Sequence, residues 1–269
     1  MCHGIITEGS GKLLPQEHFG RLIGIAAEMR FESISYDDLE AWRAGRATLP
    51  DRPIMFDFDH GVKSMRYDVL PALERHGFKG NLFIYTAPLD KEFTGPMPHD
   101  VEYMDWEELR ELVDAGWQIG AHTITHPNLS ELSTEDPSGD RLRHELDRCN
   151  ETFQEGLGFA PKDFAFTGTS WSSVAEAEVK KRYRFGRLWV IGSEYNVDGR
   201  TVRYADLVGV DGPDEADGGP PHAARYITEH SDPYRLPSME LQYLIHDPSA
   251  FRLYLEGALT EAAQNELKE

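Results

Sequence analysis

Two histidines four residues apart, in His122-Thr123-Ile124-Thr125-His126, can bring two imidazoles to one divalent ion. A second group of ligand-type side chains, Asp57-Phe58-Asp59-His60-Gly61, ends in a glycine after an apolar run. Catalytic zinc and related ions take three protein ligands and leave a position for a water, which the ion acidifies toward neutrality. Two histidines and a carboxylate fill that count. A further carboxylate beside the water can accept its proton as it attacks a carbonyl, and a protonated histidine opposite can release the leaving amine. Side chains two apart on a strand share a face, so Asp57 and Asp59 can address one cavity, one as ligand and one as base. His60 then lies beside the ion or toward the substrate.

Both groups must sit at strand ends. Short apolar runs alternate with helical patterns along the chain, which implies parallel strands with helical crossovers. Strands are expected at Ile5-Ile6, 33–35, 53–57, 81–85, 117–121, 163–166, 187–191 and 241–245. The intervening helices are expected at 15–29, 36–44, 63–76, 105–115, 139–153 and 172–181, with Asp105 and Glu108 forming a capping box. The loop after residue 85 carries Pro88, Gly95, Pro96 and Pro98, and residues 209–221, rich in Gly, Pro and Asp, read as a surface loop. An amphipathic helix over 251–267 closes the chain. A barrel fits this order, with 122–126 and 57–61 both at the strand C-terminal ends where barrel enzymes place working residues.

The 269 residues, 40% hydrophobic, suit one domain over 1–269. With 47 acidic against 27 basic residues, the net charge of -20 disfavours nucleic acid and anionic lipid as partners. Cys2 and Cys149 are too few for a disulfide framework and lack metal-pair spacing. No signal peptide or membrane span is legible, so a cytoplasmic location is the expectation.

The segment Arg52-Pro53-Ile54-Met55-Phe56-Asp57-Phe58-Asp59-His60-Gly61-Val62-Lys63-Ser64 resembles the R-P-x-x-x-T-F-D-D-G-Y-x-S stretch of polysaccharide deacetylases, the carbohydrate esterase family 4 with NodB homology. The run Ile119 to Pro127 is similar to that family's H-[ST]-x-x-H motif, and Met1-Cys2-His3-Gly4 resembles the Y-H start of the permuted branch that deacetylates poly-N-acetylglucosamine. The resemblance implies a distorted (β/α) barrel of the NodB-homology type that removes acetyl from an N-acetylated sugar, using a metal-held water, with zinc the default ion. His122 and His126 would be ligands. Strict alignment to the D-D pair makes Asp59 the base and His60 the ligand; the F-D-x-D pattern of peptidoglycan deacetylases and cyclic-amide hydrolases makes them Asp57 and Asp59. The permuted branch places its general acid at His3, while Ile245-His246-Asp247 resembles the late histidine of unpermuted members. The third motif departs from the family, since Phe166-Thr167-Gly168-Thr169-Ser170-Trp171 lacks its tyrosine. The Gly168 or Thr169 amide can still serve an oxyanion, and Trp171 can stack on a sugar. Two alternatives to sugar deacetylation are a cyclic-amide hydrolase and a barrel that binds glycan without turnover.

Overall fold

The computed structural model describes residues 1–6, 14–97, 99, 101–210 and 223–260. Six strands form one sheet in sequence order: β1 (Asp57–Asp59), β2 (Asn81–Ile84), β3 (Gln118–Ala121), β4 (Asp163–Ala165), β5 (Phe185–Val190) and β6 (Leu236–Met239). Every neighbouring pair is parallel. Sequential order with parallel pairing curls a sheet toward a barrel and sends all strand C-termini to one face. The fold is thus the α/β, NodB-type curled sheet that the sequence led us to expect.

The first residues span the open side between β1 and β6. The Cys2 amide donates to the Asp57 carbonyl at 3.0 Å, and the Met1 amine donates to the Met239 carbonyl at 2.7 Å. Leu241 in turn donates its amide to the Met1 carbonyl at 2.9 Å. These bonds link β1 to β6 through Met1-Cys2 and deliver His3 to the rim where the strands end.

Helices cover the outer face. Leu142, Leu146, Cys149 and Phe153 form the buried stripe of Asp140–Leu157, at the spacing a helix needs to pack on a sheet. Phe58, between the two aspartates of β1, points outward and stacks on Trp117, with ring centroids 5.2 Å apart. Asp57 and Asp59 therefore point inward, as strand alternation requires. Both cysteines are free and buried.

Several elements differ from expectation. The last sheet strand is Leu236–Met239, whereas 241–245 forms turns beyond it, because Met1 takes the Leu241 amide and ends the ladder. The run expected as one helix over 63–76 begins as a π-helical turn, Met65–Val69, and becomes α-helical only over Leu70–Glu74, where Pro71 lacks an amide proton to donate. The expected strand 53–57 divides into Pro53–Ile54, paired with Glu32–Ser33, and β1. The closing helix runs Pro248–Gly257. Pro98, positions 211–221 of the expected loop and 261–267 of the expected helix lie outside the described residues. Among the described residues no helix is long and apolar enough to cross a membrane.

If Met1-Cys2 closes the sheet, Cys2→Pro should destabilise the protein by about 1–3 kcal/mol more than Cys2→Ala, because it leaves the Asp57 carbonyl without its donor. Denaturant unfolding of the two variants measures the difference, and equal losses would show that this pairing does not matter.

Candidate metal centre

The imidazoles of His60, His122 and His126 converge where β1 and β3 end. Among the described residues they are the group suited to an ion, with ligand-type atoms all within 4.8 Å of one another. The His122 Nδ1 lies 2.8 Å from the Ala165 carbonyl of β4, which fixes that nitrogen as the protonated one and turns Nε2 to the centre. Both His122 Nε2 and His60 Nε2 are buried without a hydrogen-bond partner. Unpartnered imidazole nitrogens facing one point are the donor set a divalent ion takes, so these residues fit a metal.

Electrostatics favours the neutral ligand form. Burial, reinforced by neighbouring imidazoles, drives His60 and His122 well below the ordinary histidine range. Burial and then His99 lower His126 to about 4.

The backbone is held in uncommon conformations here. His60, Thr123 and His126 have φ of 76°, 71° and 57°, a left-handed region that costs a non-glycine residue on the order of 1–3 kcal/mol. Glu145, on Asp140–Leu157, braces the loop between His122 and His126. Its Oε2 accepts the Ile124 and Thr125 amides at 2.8 and 2.9 Å, and its Oε1 accepts the Thr125 hydroxyl at 2.7 Å. Ile124 and Thr125, two of the three residues between the histidines, are thereby clamped from behind, while the Thr123 hydroxyl accepts the His126 amide at 3.0 Å.

The two aspartates lie at different depths. Asp59 receives a close contact from Arg187 Nη2 on Oδ1, while its Oδ2 lies 3.9 Å from both His122 Nε2 and His3 Nε2. Burial works to raise its pKa, but the Arg187 guanidinium, with His3 and His60, holds the carboxyl below the usual range. Asp57 is turned into the barrel beneath. Its Oδ2 accepts the Tyr36 hydroxyl at 3.0 Å and the Ser238 hydroxyl at 2.7 Å, and its Oδ1 accepts Asn81 Nδ2 at 3.3 Å. With its acceptor positions taken, Asp57 does not join the imidazole cluster, contrary to its expected place as the base there.

His3 does join it. Its ring packs against His60 at 4.8 Å and edge-on to Trp189 at 4.7 Å, and its Nδ1 is 3.5 Å from Glu240 Oε2. That carboxylate also accepts the Trp189 indole N–H and the Gln242 amide, and the His3 amide donates to the Gln242 side chain at 2.6 Å. His246, the competing histidine, is exposed, and its neighbour Asp247 caps Pro248–Gly257. Gly168 is half-exposed with φ 58°, its carbonyl accepting the Tyr195 hydroxyl at 3.4 Å. Trp171 is buried: its indole donates to Glu176 at 3.1 Å and Arg235 covers its face at 4.6 Å. The structure thus places Trp171, expected as a substrate contact, in the packing between Glu176 and Arg235.

Sequence reasoning missed Arg187, Glu240, Glu145 and His99. Arg187 carried a signal, a lone cation inside the apolar run Phe185 to Val190, where an unpaired charge is expensive. Glu145 had none, since one glutamate on a polar helix resembles any other.

Residues 46–184 match the polysaccharide deacetylase family. The chain belongs to that family. Among curated proteins, the uncharacterized YlxY protein of Bacillus subtilis (strain 168) is 25% identical over 118 residues, 43% of this chain; the match spans 31% of YlxY's length. Among solved structures, the Streptococcus pyogenes deacetylase PplD in complex with acetate superposes with a TM-score of 0.65 at 11% identity, covering 92% of each chain. IcaB from Ammonifex degensii gives 0.61 at 15% identity, covering 96% of this chain and 95% of its own. At such identities the superpositions establish the deacetylase fold. The imidazole cluster and Asp59 lie within the matched segment; His3, Arg187 and Glu240 lie outside it.

Two outcomes follow for the metal-binding loop. Glu145→Gln should weaken binding of a divalent ion by about 10- to 100-fold, measured by calorimetric titration, as is usual when the group orienting a ligand is altered. Unchanged affinity would mean the loop holds its shape unaided. The metal-free protein should also lose stability as pH falls from about 6.5 toward 4, because the unfolded chain takes up protons that the buried histidines refuse. Thermal unfolding across that range should show this slope, and His126→Asn should reduce it.

Proposed function

We propose that this protein is a metal-dependent hydrolase that releases acetate from the N-acetyl group of an amino-sugar-containing glycan or glycan precursor. The observation that carries this reading is the joint placement of three imidazoles, the Asp59–Arg187 pair and the His3–Glu240 pair around one point. Family membership supports it, as does fold similarity to a deacetylase solved with acetate.

His60, His122 and His126 would hold the ion, and three imidazoles suit zinc as well as cobalt, nickel or iron. When bound, the ion supplies a Lewis acid and lowers the pKa of water at its open position. The protein's own groups account for the proton movements. Asp59 is assigned as base: Arg187 occupies Oδ1 and keeps the carboxylate ionised, which leaves Oδ2, facing the imidazoles, to take a proton from water adding to the amide carbonyl. His3 is assigned as acid, because the buried Glu240 engages Nδ1 and leaves Nε2 to protonate the departing amine. The Gly168 or Thr169 amide would donate to the developing oxyanion. Water and amide are thus converted to acetate and a free amino sugar. Of the two registers open to the sequence, this reading takes the one with Asp59 as base and His60 in the ligand set, and it leaves Asp57 to anchor the interior.

Metal-loaded protein given N-acetylglucosamine oligomers should release acetate, with activity lost to a chelator and restored by adding the ion back. Asp59→Asn should lower kcat by about 10²–10⁴-fold while the ion stays bound. Two results contradict the reading: no acetate from any N-acetylated sugar by the loaded protein, or chelator-resistant release. Ion loss in Asp59→Asn would instead make Asp59 a ligand.

A further inference from the structure

A further imidazole, beyond the three ligands and His3, stands at the cluster with no role in the scheme above. His99 is carried by the long loop between β2 and the helix Trp106–Asp114. Its ring stacks on His60 at 4.5 Å and meets His126 edge-on at 5.2 Å. The second separation falls within the 4.8 to 5.8 Å spacings among the three ligands themselves, and the first is slightly closer. His99 Nε2 is also buried without a hydrogen-bond partner, as His60 Nε2 and His122 Nε2 are.

The loop is fastened so as to hold this residue there. The His99 carbonyl accepts the Tyr103 hydroxyl at 2.8 Å. Tyr103 contacts the Tyr85 hydroxyl, and the Tyr85 ring packs against His60, His99 and His126 at 5.3 to 5.7 Å. Further along, the loop is stitched to the turn that follows His60. Val62 bridges Tyr103, the Lys63 amide donates to the Glu102 carbonyl at 2.8 Å, and the Met104 amide donates to the Gly61 carbonyl at 3.0 Å. His99 and His60 are thereby held by one strapped unit.

Resting on the metal reading of His60, His122 and His126, we propose that His99 is a detachable fourth imidazole ligand. It would occupy the ion's open position at rest and leave it to the water that the scheme above requires there. His99 stands outside the 4.8 Å grouping of the other three, so ligation requires a small settling of its loop once an ion is present. A tethered ligand gains affinity from its high local concentration yet is readily exchanged, because its loop is half-exposed at this point. Water and His99 would compete for one position, so His99 would set how much of the loaded protein is ready to react.

Cobalt(II) titration of the full chain tests this through visible absorption and affinity, independently of turnover. Loss of the fourth imidazole in His99→Ala and His99→Gln should shift the cobalt bands and weaken binding by about tenfold or more, the scale expected when a metal site loses a supporting group. Free imidazole added to cobalt-loaded His99→Ala should return the bands to the wild-type positions, a rescue that a folding defect would not show. Wild type and both variants binding cobalt with the same affinity and spectrum would overturn the proposal and leave the three-histidine site standing. No cobalt binding by the wild type would overturn the three-histidine reading itself, and this proposal with it.

Discussion

A guanidinium with no solvent contact lies inside the barrel between two carboxylates of one strand. Arg187 on β5 faces Asp59 above and, with Nε 3.9 Å from Oδ2, Asp57 below. Burying a cation is expensive, and removing one partner of such a group typically costs about 3–5 kcal/mol. Both aspartates outweigh that penalty and keep the guanidinium charged. The requirement reaches outward through the fold. Asp57 needs Tyr36, Asn81 and Ser238 to satisfy its oxygens, and these come from a helix, β2 and β6. One interior ion group thus ties together elements far apart in sequence and decides which carboxylate is left facing the imidazoles.

The histidines show the complementary side of that design. Each is held by something other than a metal: His122 by the Ala165 carbonyl, the His122–His126 loop by Glu145, His60 by a backbone bond to the Phe83 carbonyl, and His3 by Glu240 and Gln242. Their uncommon backbone angles persist because those bonds over-determine them. Such preorganisation, with burial lowering all three, keeps His60, His122 and His126 as neutral donors near one another at neutral pH.

Much of this was legible in the sequence, and the remainder was hidden for identifiable reasons. The paired histidines, the acidic strand end and the capping box at Asp105 and Glu108 are local patterns, and local patterns survive translation into structure. The roles of Asp57 and Asp59 were not local. Their shared strand face is real, but depth within the barrel separates them, and depth depends on Arg187, 128 residues beyond Asp59. The last strand was misplaced because Leu-Pro-Ser-Met breaks the apolar pattern, although its serine is the residue that Asp57 requires. Trp171 read as a sugar platform until Arg235 and Glu176, from other elements, were seen to enclose it.

The central claim is that three imidazoles, with Asp59 beside them and Asp57 beneath, define the reactive centre. Anomalous diffraction at the metal absorption edge, from crystals of the protein loaded with zinc, tests it most directly. A single strong peak bounded by His60, His122 and His126, with Asp57 still bonded to Tyr36 and Ser238, is the predicted result. A peak coordinated by Asp57, or one away from His60, would contradict it.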